Sequence, residues 1–175
     1  DALALTVLSA LLDGYSGARL DRRLTQGADR VADSAGAYHD LSARGPKVFV
    51  LDGVPAPGKT LEQLEQALRA EITRIARDGV SEAELRRVKT QWTAAQVYGR
   101  DSLFNQAREI GTWWIEGLPL DTSDRLIDAL QQVTAQQVQD VARRCFTDDQ
   151  LTVAQLLPQP MNPNAGRRPS VALRH

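Results

Sequence analysis

The 175-residue chain has little cysteine, histidine or aromatic content: one cysteine, two histidines and 5% aromatic residues. The single cysteine, Cys145, excludes an internal disulfide and a metal site built from several cysteines. A basic excess is also missing, since 21 lysines and arginines stand against 22 acidic residues. Nucleic-acid-binding domains typically carry such an excess. We therefore expect no nucleic acid among the partners.

Long apolar runs are absent as well. The run Leu3–Leu12 is too short to span a bilayer, which takes about 20 apolar residues, and no basic segment precedes it as in a signal peptide. We therefore expect no membrane insertion. The chain opens directly on this helical periodicity, so Asp1 is interpreted as a cut inside a longer protein. Periplasmic and cytoplasmic locations are both compatible with a segment that lacks the signal-peptide region.

The composition is that of one globular domain with a single core, at 42% hydrophobic and 25% charged residues. The chain after Pro158 is rich in proline and asparagine and poor in core-forming residues. We therefore expect a domain over residues 1–160 and a C-terminal tail over residues 161–175.

Two β-like runs, Arg30–Tyr38 and Lys47–Val54, are joined by a polar loop that contains Gly45-Pro46. This arrangement predicts an antiparallel pair. The first run is weak β material, and simple alternation places Asp33, Ala35 and Ala37 on one face. A closing strand is predicted at Leu151–Leu156. The stretch from Leu11 to Val54 is the expected contact surface for a peptide or ligand.

Most of the remaining chain has helical spacing. Ser81 with Glu84, and Thr134 with Gln137, are capping boxes, in which each side chain bonds a free backbone N–H at a helix start. The predicted helices cover Leu3–Leu12, Ala18–Thr25, Thr60–Asp78, a segment from Ser81 to a break near Tyr98–Ser102, Leu103–Gly117, Asp124–Leu130, and a segment from Thr134 to Cys145. We expect the sheet strand Lys47–Val54 to cover the side chains of Leu85, Val88, Trp92 and Ile110.

The order of these signals resembles the C-terminal, non-metal-binding domain of the pitrilysin/insulinase-type zinc peptidases, and most closely the bacterial members related to mitochondrial processing peptidase. The resemblance covers about residues 1–160. The segments that carry it are Gly14-Tyr15-Ser16-Gly17-Ala18-Arg19-Leu20, Gly79-Val80-Ser81-Glu82-Ala83-Glu84-Leu85, Val133-Thr134-Ala135-Gln136-Gln137-Val138, and Leu151-Thr152-Val153. Their order and spacing together are more specific than any one of them.

The resemblance implies an α+β fold of the metallohydrolase sandwich type, with helices packed on one face of a mainly antiparallel sheet. It also implies that the N-terminal part of the domain is missing here. Whole enzymes of the family pair such a domain with a metal-binding half around a closed chamber. That half, in the same chain or in a partner subunit, and a peptide substrate are therefore the implied partners.

Catalysis in this family needs a His-x-x-Glu-His zinc site. His39 is followed by Asp40-Leu41-Ser42, so it does not open that motif, and His175 is the last residue. We therefore expect no catalytic residue, no metal ligand and no cofactor in this segment, with zinc in the partner half. His39 is interpreted as a polar loop residue.

The family's non-metal half often carries an Arg and, seven residues later, a Tyr that bind substrate carbonyls. Laid on this chain without gaps, those positions are Thr25 and Ala32. The resemblance therefore implies that the pair is lost. Arg22, Arg23 and Arg30 are nearby candidates for peptide binding, and solvated surface arginines are the alternative interpretation.

Other candidate groups have weaker support. Helical spacing favours core packing, or a seam between domain halves, over ligand binding for Trp92, Trp113 and Trp114. Ser16, Ser34 and Ser42 have no convincingly spaced histidine for a nucleophilic role. The spacing of Gly14, Gly17 and Gly27 does not match a phosphate-binding loop.

Three functions stay open at this point. The first is the non-catalytic half of a zinc metalloendopeptidase, which walls the chamber and holds extended peptide. The second is a subunit of an inactive paralogue with a structural or assembly role. The third is an unrelated α+β binding module.

Overall fold

The computed structural model describes residues 1–41 and 45–158. A π-helical segment, Asp21–Thr25, precedes the strands, and a short 3₁₀ turn, Asp148–Gln150, follows the last helix. The regular elements of the described residues are α1 (Ala2–Asp13), β1 (Ala32–His39), β2 (Phe49–Pro55), α2 (Leu61–Asp78), α3 (Glu82–Gly99), α4 (Leu103–Glu116), α5 (Thr122–Gln131) and α6 (Ala135–Arg144).

Helix α1 is the centre of the core. Its side chains Val7, Leu8, Leu11 and Leu12 are at most 1% exposed, and the helix packs against β1, α3, α5 and α6. Helix α2 covers β2 and packs on α6. The α+β prediction, with helices on one face of an antiparallel sheet, is confirmed.

Strands β1 and β2 form the predicted antiparallel pair, with Ala37 opposite Leu51 and His39 opposite Phe49. The register shifts between Ala32 and Ser34, so that Asp33 is an extra residue in β1. Such a bulge changes the alternation of side chains between the two faces. Ala32 is therefore fully buried while Asp33 is exposed, and the simple alternation predicted for this strand is wrong at its start.

Capping boxes start three helices, at Thr60, Ser81 and Thr134. Those at Ser81 and Thr134 confirm the sequence prediction. The predicted break between α3 and α4 is also confirmed, because α3 ends at Gly99 and α4 begins after Ser102, whose side chain accepts the Asn105 N–H. Gly117, with φ of +75°, ends α4 as a left-handed cap that favours glycine.

The predicted closing strand at Leu151–Leu156 is wrong. These residues are not paired with β1 or β2, and the side chains of Leu151, Val153 and Leu156 are exposed. An alternating apolar run forms a strand only where a neighbouring edge supplies hydrogen bonds. The described residues offer none to this segment.

The expectation that Ile110 is buried is also wrong, because Ile110 is 47% exposed and α4 contains no buried residue. Leu85 and Val88 are buried as expected and Trp92 is partly buried, but α3 packs mainly against α1 and α5. Trp113 donates from Nε1 to Ser123 Oγ at 2.9 Å, and Trp114 is 73% exposed. Core packing therefore holds for Trp92 and fails for Trp114, for which a seam between domain halves stays a prediction.

Candidate functional site

A groove of about 460 Å³ lies beside β1, inside the stretch that the sequence indicated as the contact surface. One wall is the turn after α1, a second is the π-helical segment, and the third is the start of β1. The lining residues are Asp13, Gly14, Tyr15, Ser16, Asp21, Thr25, Asp33, Ser34 and Ala35. Three carboxylates therefore face this groove, together with the edge of a β-strand.

Asp13 occupies the edge of β1. Its Oδ2 accepts the backbone N–H of Ala37 at 3.3 Å. Partial burial raises the pKa of the Asp13 carboxyl, the hydrogen bond from Ala37 opposes that rise, and the nearby charges of Asp52 and Asp21 add to it. The carboxylate thus takes a backbone donor that an added strand would otherwise use.

Thr25, at the position of the family's carbonyl-binding arginine, is held by Asp21. Its hydroxyl donates to the backbone oxygen of Asp21 at 2.9 Å and to Oδ1 at 2.8 Å. Asp21 also accepts from the Gly17 N–H at 2.7 Å and from Gln26 Nε2 at 3.2 Å. The hydrogen bond from Thr25, with that from Gly17, lowers the pKa of Asp21. Asp21 therefore ties the glycine-rich turn to the π-helical segment.

Ala32, at the position of the family's tyrosine, is fully buried and belongs to the hydrophobic core. It has no hydroxyl that could bond a peptide carbonyl. The structure therefore brings Thr25 to the groove and leaves the Ala32 side chain in the core.

The three candidate arginines have different environments. Arg23 Nε lies 3.6 Å from Glu71 Oε2, and Arg30 pairs with Asp33 at 2.9 Å, while Arg22 is exposed. None of the three is among the residues that line the groove.

The interpretation of His39 as a loop residue is wrong. His39 is the last residue of β1, where its ring stacks on Phe49 with the ring centres 6.0 Å apart. Nδ1 lies 3.3 Å from Thr6 Oγ1. Partial burial lowers the pKa of His39, against the opposing charge of Asp40. These contacts place the imidazole in the packing between β1 and α1.

No group of three or more His, Cys, Asp or Glu side chains in residues 1–41 and 45–158 is arranged to hold a metal ion. His175 and Ser42 lie outside the described residues. Ser16 and Ser34 are both exposed beside the groove, and neither has a hydrogen bond to His39. No helix in the described part of the chain has the length and apolarity to cross a bilayer.

Arg19 is the residue that sequence reasoning missed. It is 8% exposed, and its Nε and Nη2 donate to the two carboxylate oxygens of Glu84, each at 3.0 Å. Burial of the Glu84 carboxylate opposes ionisation, but the hydrogen bonds from Arg19 and Ser81 outweigh it and lower the pKa of Glu84 to about 2. The sequence did contain a signal for this ion pair, because Arg19 and Glu84 both belong to segments that carry the family resemblance.

Comparisons with known proteins agree with this architecture. The chain is 26% identical over 147 residues to the uncharacterized zinc protease YmxG of Bacillus subtilis, covering 83% of this chain and 35% of YmxG. The chain thus spans about a third of that relative.

Solved structures share the fold. A protease from Helicobacter pylori matches with a TM-score of 0.78 at 20% identity, over 85% of this chain and 35% of that one. An inactive peptidase domain from Bordetella parapertussis matches with a TM-score of 0.79 at 16% identity, over 94% and 86% of the two chains.

Residues 1–92 match the model of the family described as the peptidase M16 inactive domain. This match covers more than half of the chain, and it overturns the interpretation as an unrelated α+β binding module. The chain belongs to the peptidase M16 inactive domain family.

Proposed function

We propose that this chain is the non-catalytic half of a zinc metallopeptidase, which walls the chamber and helps to hold extended peptide. The observation that carries the proposal is the match of residues 1–92 to the inactive-domain family. The length of YmxG, of which this chain covers 35%, leaves room for a second half. In this proposal zinc is bound by the metal-binding half, in the same chain or in a partner subunit. The division into a domain over residues 1–160 and a tail over residues 161–175 stays a prediction, and residues 159–175 lie outside the described part of the chain.

The groove beside β1 supports the peptide-holding part of the proposal. A strand edge can bind an extended peptide through backbone hydrogen bonds, which is the mode called β-augmentation. Here the peptide lies between Ser34 and the turn at Tyr15, and its backbone competes with Asp13 for the N–H of Ala37. This competition weakens the binding of peptide and favours its release.

Binding by this half alone is expected to be weak. A net hydrogen bond contributes about 0.5–1.5 kcal/mol, and about 1.5–3 kcal/mol when one group is charged. Without the arginine and tyrosine that the family places at Thr25 and Ala32, the free energy of peptide binding is weaker by about 2–4 kcal/mol. Each 1.4 kcal/mol corresponds to about a tenfold change in affinity. The metal-binding half supplies the second wall that excludes water.

A structural or assembly subunit of an inactive paralogue is the second candidate. It is favoured by the loss of the carbonyl-binding pair, since Thr25 is bonded to Asp21 and Ala32 is buried in the core. The exposed apolar cluster of α4 is a surface for a partner chain in either candidate. The cluster consists of Leu103, Phe104, Ile110 and Trp114. Elemental analysis of the full-length protein, together with any subunit that copurifies with it, separates the two candidates, because one zinc per assembly is expected only for the peptidase.

Site-specific photocrosslinking tests the peptide-holding role. A photoreactive phenylalanine analogue replaces Ser34 in the groove, or the exposed Gln66 of α2 as the matched control. The full-length protein is treated with a chelator, so that a bound casein-derived peptide is not cleaved. Crosslinks to peptide are expected from position 34 and not from position 66. Equal crosslinking from both positions would contradict the proposal.

A further inference from the structure

A second cavity, of about 320 Å³, lies between the π-helical segment and α2. Its walls combine three apolar side chains with two guanidinium groups and one carboxylate. The lining residues are Arg23, Leu24, Val31, Ala67, Glu71 and Arg74. None of them lines the groove beside β1, so the two sites are separate.

Glu71 is the unusual member of this cavity, because its side chain is 0% exposed. Its Oε1 accepts a hydrogen bond from Arg74 Nη1, one helical turn along α2. Its Oε2 has no hydrogen-bond donor among the described residues. Arg23 Nε, at 3.6 Å, is close enough for an ion pair and too far for a hydrogen bond. A buried carboxylate oxygen without a donor is costly, so Oε2 is an acceptor suited to a ligand.

The two guanidinium groups lie at the mouth of the same cavity. The side chains of Arg23 and Arg74 are 48% and 42% exposed. Each guanidinium carries five N–H donors, more than Glu71 alone can accept. The cavity therefore offers an acceptor in its floor and donors at its mouth.

The charges of these groups select the class of ligand. Two arginines and one glutamate give a net charge of +1, which disfavours a simple cation. A simple anion would leave Glu71 Oε2 without a donor and would lie beside a like charge. A ligand with an ammonium and a carboxylate close together satisfies both groups, and the 3.6 Å between Arg23 Nε and Glu71 Oε2 matches groups joined through one carbon.

We propose that the cavity formed by Arg23, Glu71 and Arg74 binds a free α-amino acid with an apolar side chain. The ammonium donates to Glu71 Oε2, the carboxylate accepts from the guanidinium of Arg23, and the side chain packs against Leu24, Val31 and Ala67. This site does not depend on the peptide-holding function, because it shares no residue with that groove.

The test is a titration of the full-length protein with L-leucine, followed by NMR of labelled leucine and valine methyl groups. The methyl signals of Leu24 and Val31 report on the cavity directly. Saturable shifts of both are expected with leucine. N-acetyl-L-leucine lacks the ammonium and L-leucinamide lacks the carboxylate, so each is expected to bind at least about tenfold more weakly. No saturable shift at about 10 mM leucine overturns the proposal and leaves water as the partner of Glu71.

Two variants and one control separate ligand binding from stability. Glu71→Gln and Arg23→Met are each expected to weaken leucine binding at least about tenfold. Arg77→Gln, on the same helix and outside the cavity, is expected to bind like the unchanged protein. If Glu71→Gln fails to fold, Arg23→Met still decides, because this side chain is half exposed. Unchanged binding by Arg23→Met overturns the proposal.

Discussion

Arg19 and Glu84 join two parts of the chain that are 65 residues apart. Arg19 follows the glycine-rich turn, and Glu84 is the third residue of α3, where it also accepts the Ser81 N–H in the capping box. The pair is bidentate and largely buried, with side chains 10% and 23% exposed. It therefore fixes the entry of α3 against the turn that lines the groove.

The first prediction concerns the pH dependence of this pair. Because the pKa of Glu84 is lowered from 4.5 to about 2 in the folded chain, its contribution to stability is present above pH 4.5 and is lost as the pH falls from 4.5 to 2. The full shift corresponds to about 3 kcal/mol, and allowance for solvent screening reduces it to about 1–2 kcal/mol.

Glu84→Gln retains the capping box, since glutamine serves equally at that position, and removes the charge. We expect its free energy of unfolding to be about 1–2 kcal/mol below that of the unchanged protein at pH 7. The difference is expected to disappear near pH 2 in urea titrations at a series of pH values. Glu82→Gln, an exposed neighbour, is the control. A difference that stays constant from pH 7 to pH 2 would show that the ion pair does not cause it.

Strand β1 shows how one extra residue changes an element. The bulge at Asp33 lets Ala32 enter the core while Ala35 and Ala37 pack against it from further along the strand. Opposite them, Gly53 faces Ala35, and a Cβ added to Gly53 would lie 2.8 Å from the backbone oxygen of Ser34. A side chain at this position requires the two strands to separate.

We therefore expect Gly53→Ala to destabilise the chain by about 1–3 kcal/mol, the usual range for overpacking. The matched control is Gly111→Ala in the interior of α4, where an added Cβ meets nothing within 4 Å. Alanine there should stabilise the helix by about 0.5–1 kcal/mol. Thermal unfolding followed by circular dichroism measures the stability change of each variant. A Gly53→Ala protein as stable as the parent would contradict the close approach of the strands.

At the scale of the whole molecule, α4 is the helix whose apolar side chains the described part of this chain does not bury. The helix has regular caps at Ser102 and Gly117 but no buried residue. Large apolar patches on a protein surface typically mark interfaces. Since the chain covers 35% of YmxG, the proposed second half is the expected partner of this surface.

Replacing Trp114 tests that expectation. Trp114 is 73% exposed, so Trp114→Ser should change the stability of the isolated chain by less than about 0.5 kcal/mol. In the full-length protein, where the second half is expected to cover Trp114, the same substitution should lower the stability by about 2 kcal/mol or more. Leu156→Ser, which replaces a side chain that is 87% exposed outside α4, is the control. Equal effects of Trp114→Ser in the isolated chain and the full-length protein would refute coverage of α4.

The sequence by itself determined the local parts of this fold. Capping boxes, left-handed glycine caps and apolar periodicity act within a few residues, so the ends of α3, α4 and α6 followed from adjacent side chains. The antiparallel pairing of β1 and β2 followed from two β-like runs joined by a polar loop. The order of these signals was also enough to indicate the family.

Only the tertiary structure decided the outcomes that depend on distant residues. Leu151–Leu156 has strand-like alternation but no strand edge among the described residues, and Ile110 has core spacing but no element to cover it. Arg19 reaches Glu84, and Glu71 becomes fully buried, through packing between segments tens of residues apart. Burial and ion pairing depend on the neighbours that folding brings to a side chain, and local sequence patterns do not contain that information.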